Sequence, residues 1–367
     1  MITGRPRKLV QVSATLDPKL GGPVAVVVGI NKFLEKEFDH SLLVFGKSHV
    51  ITTNLIQENT LFQNRYGVLT RLFSAKFRDS LVSADLILVH GFYLYSTLFA
   101  LFFAKTELIY IMPHGSLENY QSKNGKFRKR IFEFFFHCFL NDRQLTFLVG
   151  SEPEVISVKS KFPNTDVKVV GLGVDFYPNT QKQIIVKNQP IYLYCMSRIA
   201  AKKRLDLCIH ALSYLKDSEY DFRLSIYGSN GGPLEKELRV LTDNLHLSEK
   251  VEFKGFVSEG NKESSIKDSH ILLLPSENEN FAVAVAESIG NLRPVLVSKF
   301  VAMHEFVDVH GVGVTIDILS AVEIANGVLR IVQDFEKYSE NCFISRNFLA
   351  WTFVSELWIN ELNNGGF

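Results

Sequence analysis

The sequence predicts an α/β protein made of two domains, each with a parallel sheet. Three observations carry this. Short apolar runs of strand length alternate with helical stretches along the whole chain, the pattern that parallel sheets leave in a sequence. The 367 residues leave room for two domains of roughly 100–200 residues each. A polar stretch containing two prolines, Phe176 to Pro190, reads as a linker between the halves.

Composition narrows the function classes. The chain is 46% hydrophobic and 22% charged, ordinary globular material with ample core. A net charge of +1 argues against a dedicated nucleic-acid binder. The four cysteines, Cys138, Cys195, Cys208 and Cys342, form no C-x-x-C pattern and read mostly as buried, reduced thiols of a cytosolic protein. Residues Met1 to Lys8 are partly basic but lack the apolar core of a signal peptide. No apolar run approaches the roughly 20 residues of a membrane span; Leu98–Ala104 is far too short.

In the first half, Leu9–Ser13 is the first predicted strand. Gly21-Gly22-Pro23 follows and opens a helix to about Lys36, whose apolar stripe is Val24, Val27, Val28 and Leu34. Two glycines before a helix start let a phosphate or a sugar approach the backbone closely, although on its own this signal is weak and a plain strand-to-helix turn is the better reading. Further strands are predicted at Ser41–Phe45, Asp85–His90, Leu108–Met112, Thr146–Gly150 and Val167–Val170, with a helix at about Tyr95–Ala104. In parallel sheets ligands gather beyond the carboxyl ends of the strands, where His90 and His114 both fall. A lone histidine there is commonly structural. Lys123–Leu140, KNGKFRKRIFEFFFHCFL, places five cations before five phenylalanines. It reads either as a patch that docks on anionic lipid or as a solvated loop leading into a core helix.

The second half opens with strand Ile191–Cys195, then Arg198 and Lys203 on one strand-to-helix loop, then a helix from about Arg204 to Leu215. A forked guanidinium beside a mobile ammonium suits a diphosphate. Strand Phe222–Tyr227 ends in Gly228-Ser229, and strand Val251–Phe256 follows. Ile271–Leu274 is a buried strand ending at Pro275. A polar loop, Ser276–Asn280, leads to a helix from about Ala282 to Ile289, with Asn280 as N-cap and Gly290 as its stop, and then to strand Arg293–Ser298. The helix start offers N–H groups for a phosphate, and Glu279 and Glu287 offer acids for sugar hydroxyls and a ribose. Asn347 to Leu362 is a terminal helix containing Trp351 and Trp358.

Glu279 and Glu287, with seven residues between them, resemble the E-x7-E signature of retaining glycosyltransferases, most nearly family 4. Pro275, Ser276, Glu279, Phe281, Glu287, Pro294 and Val295 are in step with that family's Pro-Ser, Glu, Phe, Gly, Glu and Gly-x-Pro-Val pattern. The chain departs at Ala282, where Gly is usual, and at Arg293, with Gly290 displaced upstream. Arg198 and Lys203 resemble its Gly-Arg-x4-Lys-Gly loop, with Ser197 and Arg204 in place of the glycines. Gly171-Leu172-Gly173-Val174-Asp175 resembles its Pro-Asn-Gly-Val-Asp element.

The resemblance implies two facing Rossmann-like domains with an interdomain cleft, an acceptor domain at 1–176, a nucleotide-sugar domain at 177–345 and a C-terminal helix, 346–367, crossing back to the first domain. It implies His114, Arg198, Lys203 and Glu279 as catalytic residues. Substrate-binding residues would be Gly21, Gly22, Gly228, Ser229, Gly255, Phe256, Asn280, Phe281, Ala282, Val283 and Glu287, besides Arg198, Lys203 and Glu279. His90 would lie behind them. No D-x-D spacing occurs, so no divalent metal and no cofactor is expected, only a nucleotide diphosphate sugar as donor. The expected acceptor is a saccharide or lipid-linked saccharide in polysaccharide or envelope glycan synthesis, met at the inner face of a membrane through 123–140. A degenerate member acting as a binding partner in a membrane-associated complex is the alternative, motivated by Ser197, Arg204 and Ala282. An epimerase, a phosphorylase and a glycosidase with paired carboxylates are weaker readings of the same residues.

Overall fold

The computed structural model describes residues 5–17, 21–46, 55–56, 75–118, 126–140, 143–177, 180–228 and 232–364. They form two compact units, one of Met1–Gly171 with Val354–Phe367, the other of Leu172–Phe353.

The first unit runs β1 (Lys8–Ser13), α1 (Gly22–Glu37), β2 (Asp39–Val44), β3 (Leu55–Ile56), α2 (Ala75–Val82), β4 (Leu86–His90), α3 (Tyr95–Phe103), β5 (Leu108–Met112), α4 (Lys126–Leu140), β6 (Gln144–Val149), α5 (Glu152–Lys161) and β7 (Asp166–Val169). Its seven strands are ordered β3-β2-β1-β4-β5-β6-β7, and every pairing is parallel. Near-continuous apolar strands such as Leu86–Val89 follow from burial on both faces. Val12, Val89, Ile111 and Phe147 meet α3 and α4 through Phe99, Phe132 and Phe136 in one core.

The second unit runs β8 (Ile191–Met196), α6 (Leu205–Tyr214), β9 (Phe222–Tyr227), α7 (Pro233–Asn244), β10 (Val251–Gly255), α8 (Glu259–Lys267), β11 (Ile271–Leu274), α9 (Val283–Gly290), β12 (Val295–Ser298), α10 (His304–His310), β13 (Gly313–Ile316), α11 (Ala321–Gln333) and α12 (Phe335–Ser345). The sheet order is β10-β9-β8-β11-β12-β13, again all parallel. In this order the neighbour of β8 on one side is β9 and on the other β11, so the chain reverses direction across the sheet beside β8. Such a switch point is where open α/β sheets bind ligands.

The terminal helix, α13 (Trp351–Asn364), starts in the second unit and from Val354 belongs to the first. Within the first unit its Trp358 is fully buried and donates from Nε1 to the Gly171 carbonyl at 3.2 Å. Arg7 donates to the carbonyl of Leu362 at 3.1 Å.

Three local readings need correction. Asn280 is not the N-cap of α9: that place is taken by Ala282 in the left-handed region, φ 69° and ψ 68°, with no side-chain cap. Gly290 is the last helical residue rather than a stop beyond it, and a Cβ there would meet the Phe176 ring at 2.5 Å. Arg293 precedes β12 rather than belonging to it and is fully buried. Its guanidinium donates to the carbonyls of Ile266 (3.2 Å), Lys267 (2.9 Å), Asn291 (3.0 Å) and Gln181 (3.1 Å). It thus closes the C-terminal end of α8, where carbonyls lack helical partners and the dipole favours a cation.

Replacing Arg293 by Leu leaves these carbonyls buried without a donor. The expected loss is about 3 kcal/mol of unfolding free energy, read from urea denaturation. A loss below about 1 kcal/mol would show that the guanidinium is not the staple.

Candidate active site

The chemistry-bearing side chains of the second unit come from three loops at the carboxyl ends of β8, β11 and β12. After β8 the chain passes exposed Arg198, makes a 3-10 turn at Ala201–Lys203, and enters α6 through Arg204, which is left-handed at φ 51° and ψ 42°. This turn carries Lys203 inward until only 9% of it is exposed. Its Nζ lies 2.5 Å from Glu279 Oε1, and Lys202 Nζ lies 3.6 Å from the same oxygen. Lys203 is thus buried, whereas its neighbour in the loop, Arg198, is exposed. Burial pushes the Lys203 ammonium below its usual range; Glu279 opposes this, and Lys202 and Arg198 add to it.

The loops are sewn together beyond that pair. Lys202 Nζ donates to the Asn278 carbonyl at 3.0 Å, Glu277 N–H donates to the Lys202 carbonyl at 2.8 Å, and Arg204 joins Glu277 at 3.2 Å and Asp206 at 3.0 Å. The backbone of Glu279 is held from the third loop, donating to Phe300 O at 3.1 Å and accepting from Ala302 N at 3.0 Å. Three loops thus fix one carboxylate and one ammonium. Past them α9 begins at Val283, with half-buried Asn280, Phe281 and Ala282 before it. Glu287, one turn into α9, pairs with Lys262 of α8, both side chains being largely buried. Lys262 was not singled out from the sequence, because its partner lies on another helix and no local spacing points to it.

On the other side of β8, Ser197 N–H donates to Tyr227 O and Gly228 N–H to Gly255 O, at 3.1 and 2.8 Å. A Cβ on Gly228 would stand 1.8 Å from the Ser197 carbonyl, so this close approach admits only glycine. Phe256 is 44% exposed beside it. Ser229 lies outside the described residues.

Arg204, Ala282 and Leu292 all have positive φ, at 51°, 69° and 62°. Two are the departures from glycine noted above. The third shows where the glycine of Gly-x-Pro-Val falls, at Leu292 rather than Arg293. Ser197 is not at positive φ among the described residues, so that departure costs nothing in backbone strain. The site keeps the left-handed turns of a glycine-rich loop without the glycines.

In the first unit, Gly21 takes φ 71° and ψ −131°, a conformation open in practice to glycine, and Gly22 begins α1. His114 follows β5 at φ 52°, before Gly115 at φ 74°. Glu154 of α5, 1% exposed, accepts from Gly115 N–H at 2.7 Å and Gly150 N–H at 3.0 Å, holding this turn. His90 and His114 stack at 5.2 Å, and His90 Nδ1 meets His114 Nε2 at 2.9 Å. Burial holds His114 and His40 at about 4 and, with His114 and His40 nearby, pushes His90 well below its usual range, so all three are neutral near pH 7.

On α4, Phe132 and Phe136 are buried, whereas Phe127, Ile131, Phe134 and Phe135 are 75, 43, 64 and 42% exposed. The phenylalanines therefore split into a core stripe and a solvent stripe rather than covering all sides. At 100° per residue Arg128 and Arg130 flank the solvent stripe. Lys123 lies outside the described residues. Three cysteines are buried and Cys138, on α4, is exposed. Among the described residues no group of three or more histidines, cysteines or acids is placed to hold a metal.

Two parallel-sheet Rossmann-like units with this topology define the GT-B class of fold. Residues 177–342 match the model of the family described as glycosyl transferases group 1. A similar relative is the GDP-mannose-dependent alpha-(1-6)-phosphatidylinositol dimannoside mannosyltransferase of Mycobacterium tuberculosis, 29% identical over 187 residues, covering 48% of this chain and 47% of that one. Another is the alpha-D-kanosaminyltransferase of Streptomyces kanamyceticus, 27% identical over 149 residues, covering 41% and 38%. Each match spans under half of the curated relative's length. The fold is similar to that of Anabaena HepE in complex with UDP and glucose, with TM-score 0.77, 17% identity, and 98% and 100% of the two chains covered. It is also similar to WaaG, a glycosyltransferase involved in lipopolysaccharide biosynthesis, with TM-score 0.72, 14% identity and the same coverage.

Changing Ala282 to Gly is expected to raise unfolding free energy by about 0.5–1 kcal/mol, since the left-handed conformation then carries no Cβ penalty. Thermal denaturation checks this; an unchanged or lower midpoint would mean that the Ala282 methyl packs well enough to offset its strain.

Proposed function

We propose that the protein is a retaining, metal-independent glycosyltransferase. It moves a sugar from a nucleotide diphosphate sugar to a saccharide or lipid-linked saccharide acceptor in polysaccharide or envelope glycan synthesis. The observation that carries this reading is the Lys203–Glu279 pair, held by three loops at the switch point, with Arg198 beside it. Without donor the ammonium and the carboxylate neutralise each other. A bound diphosphate takes Lys203 and Arg198, together with the first-turn amides of α9, and leaves Glu279 free to accept hydrogen bonds from sugar hydroxyls. Glu287 accepts from the ribose. As the sugar–phosphate bond breaks, charge grows on the diphosphate, where these fixed donors are aimed. The acceptor oxygen forms its bond to the same face of the sugar carbon, and its proton passes to the departing phosphate oxygen. The first unit, with Gly21, Gly22 and His114, is the acceptor side in this reading. Retention of the left-handed turns at Arg204, Ala282 and Leu292 supports an active site over a degenerate one.

Arg198→Ala and Lys203→Ala are each expected to lower transfer about 100-fold or more. Lys203→Ala also destabilises the fold by about 1–3 kcal/mol, because Glu279 keeps only the more distant Lys202, whereas Arg198→Ala leaves stability unchanged. Glu287→Ala weakens nucleotide affinity in a thermal-shift panel of nucleotide sugars, and EDTA has no effect. Normal turnover of both cation variants, or loss of activity in EDTA that Mn²⁺ or Mg²⁺ restores, would overturn the reading.

The solvent stripe of α4 supports a peripheral contact with an anionic membrane surface. Phe127, Ile131, Phe134 and Phe135 supply the inserting groups, and Arg128 and Arg130 flank them as cations worth about 1 kcal/mol each near such a surface. Among the described residues no helix is long and apolar enough to cross a membrane. Co-sedimentation with anionic vesicles is expected to fall with added salt, and to fall again in the double variant Phe134→Ser, Phe135→Ser. A wild type that ignores anionic vesicles at low salt would leave a soluble acceptor as the better reading.

A further inference from the structure

A continuous track of buried polar side chains crosses the sheet of the first unit and ends at His114. Gln11 in the middle of β1 is fully buried, and His40 and His90, at the start of β2 and the end of β4, are 4% and 3% exposed. His40 Nε2 meets Gln11 Oε1 at 3.1 Å, Gln11 Nε2 meets His90 Nε2 at 2.8 Å, and His90 Nδ1 meets His114 Nε2 at 2.9 Å. Trp358 stacks over His90 at 6.5 Å and closes the track from above. Four polar side chains in series are a costly filling for a parallel sheet unless each is satisfied, and an apolar set would pack there more simply.

Each link fixes the next. Gln11 Oε1 can only accept, so His40 carries its proton on Nε2. Gln11 Nε2 can only donate, so Nε2 of His90 is bare and its proton sits on Nδ1. That Nδ1–H donates to His114, so Nε2 of His114 is bare and its single proton sits on Nδ1. The reverse direction, with the Gln11 amide turned over, places a proton on His40 Nδ1. Among the described residues this atom is buried with no hydrogen-bond partner, and a buried N–H without an acceptor is rarer than a bare acceptor. The track therefore runs one way, from His40 to His114. The backbone of the same turn is held separately by Glu154, which accepts from Gly115 N–H.

We propose that Gln11, His90 and His40 are positioning residues that lock His114 as the Nδ1–H tautomer with its ring plane fixed, so that His114 offers one N–H donor to a hydroxyl of the transferred sugar or acceptor. The role of the donor rests on the functional reading given above; the lock does not.

Long-range ¹H–¹⁵N correlation spectra of protein labelled with ¹⁵N-histidine read the tautomer of each ring without any activity. The wild type is expected to show protons on Nε2 of His40, Nδ1 of His90 and Nδ1 of His114. Gln11→Leu is expected to turn His90 and His114 into tautomer mixtures and to lower kcat about tenfold with donor KM unchanged, the loss of one positioned hydrogen bond. His90→Asn, whose amide N–H stands where Nδ1–H stood, recovers the Nδ1–H form of His114 and most of kcat, whereas His90→Leu recovers neither. A wild-type His114 protonated on Nε2, or ring shifts of His114 that ignore Gln11→Leu, would overturn the lock. Locked tautomers in a protein that transfers no sugar would leave the lock standing and sink the functional reading instead.

Discussion

The ion pair of Lys203 and Glu279 is the interaction on which the arrangement of the second unit's site depends. It joins the loop after β8 to the loop after β11, two neighbours at the switch point of the sheet. Its side chains are 11% and 13% exposed, so each charge has lost most of its water. A buried pair of this kind contributes little net stability, but removing one partner is costly. Its effect is on geometry. With Glu279 N–H and C=O held by Phe300 and Ala302, the carboxylate cannot follow Lys203 if the cation turns toward an anion. In the proposed reaction a diphosphate entering there would meet an ammonium already partly desolvated and an acid fixed in place.

Backbone conformation is the second constraint, and it explains how the site tolerates unusual residues. Left-handed turns at Arg204, Ala282 and Leu292 aim the starts of α6, α9 and β12. Glycine takes this conformation freely, whereas other residues lose about 1–2 kcal/mol to the Cβ clash. The surroundings over-determine each turn. Arg204 is held through Asp206 and Glu277, Leu292 is a core residue followed by the four-carbonyl staple of Arg293, and Ala282 has the smallest side chain that carries the penalty. The shape of the loop is thus maintained by side-chain contacts where a glycine would need none.

Strands were readable because burial on both faces leaves apolar runs that need no tertiary information; Leu108–Met112, Phe222–Tyr227 and Ile271–Leu274 fall where the pattern places them. Residues of the E-x7-E stretch and the basic loop were readable because local spacing puts them on adjacent loops of the same sheet edge. What escaped is what depends on a distant partner. Lys262 meets Glu287 across two helices, Glu154 reaches back to Gly115, and Arg293 finds its carbonyls on α8 and at Gln181. Lys203 has the sequence look of a solvated basic run and is buried because a 3-10 turn rotates it inward. Asn280 is a good N-cap by type, but the left-handed Ala282 moves the helix start past it.

The two units hold their buried polar groups in different ways, and the difference suits the proposed task of each. In the second unit two buried pairs are charged, Lys203 with Glu279 and Lys262 with Glu287, and groups paired in this way can exchange partners with an incoming anion or hydroxyl. In the first unit the track from His40 to His114 consists of neutral imidazoles and one amide, linked in series and desolvated far enough that the rings stay uncharged. A neutral chain cannot exchange its partners without leaving a buried donor orphaned, so it holds one arrangement. Exchangeable charge suits the proposed uptake and release of a diphosphate. A fixed neutral donor suits the proposed contact with a sugar hydroxyl, which needs the same face presented each time.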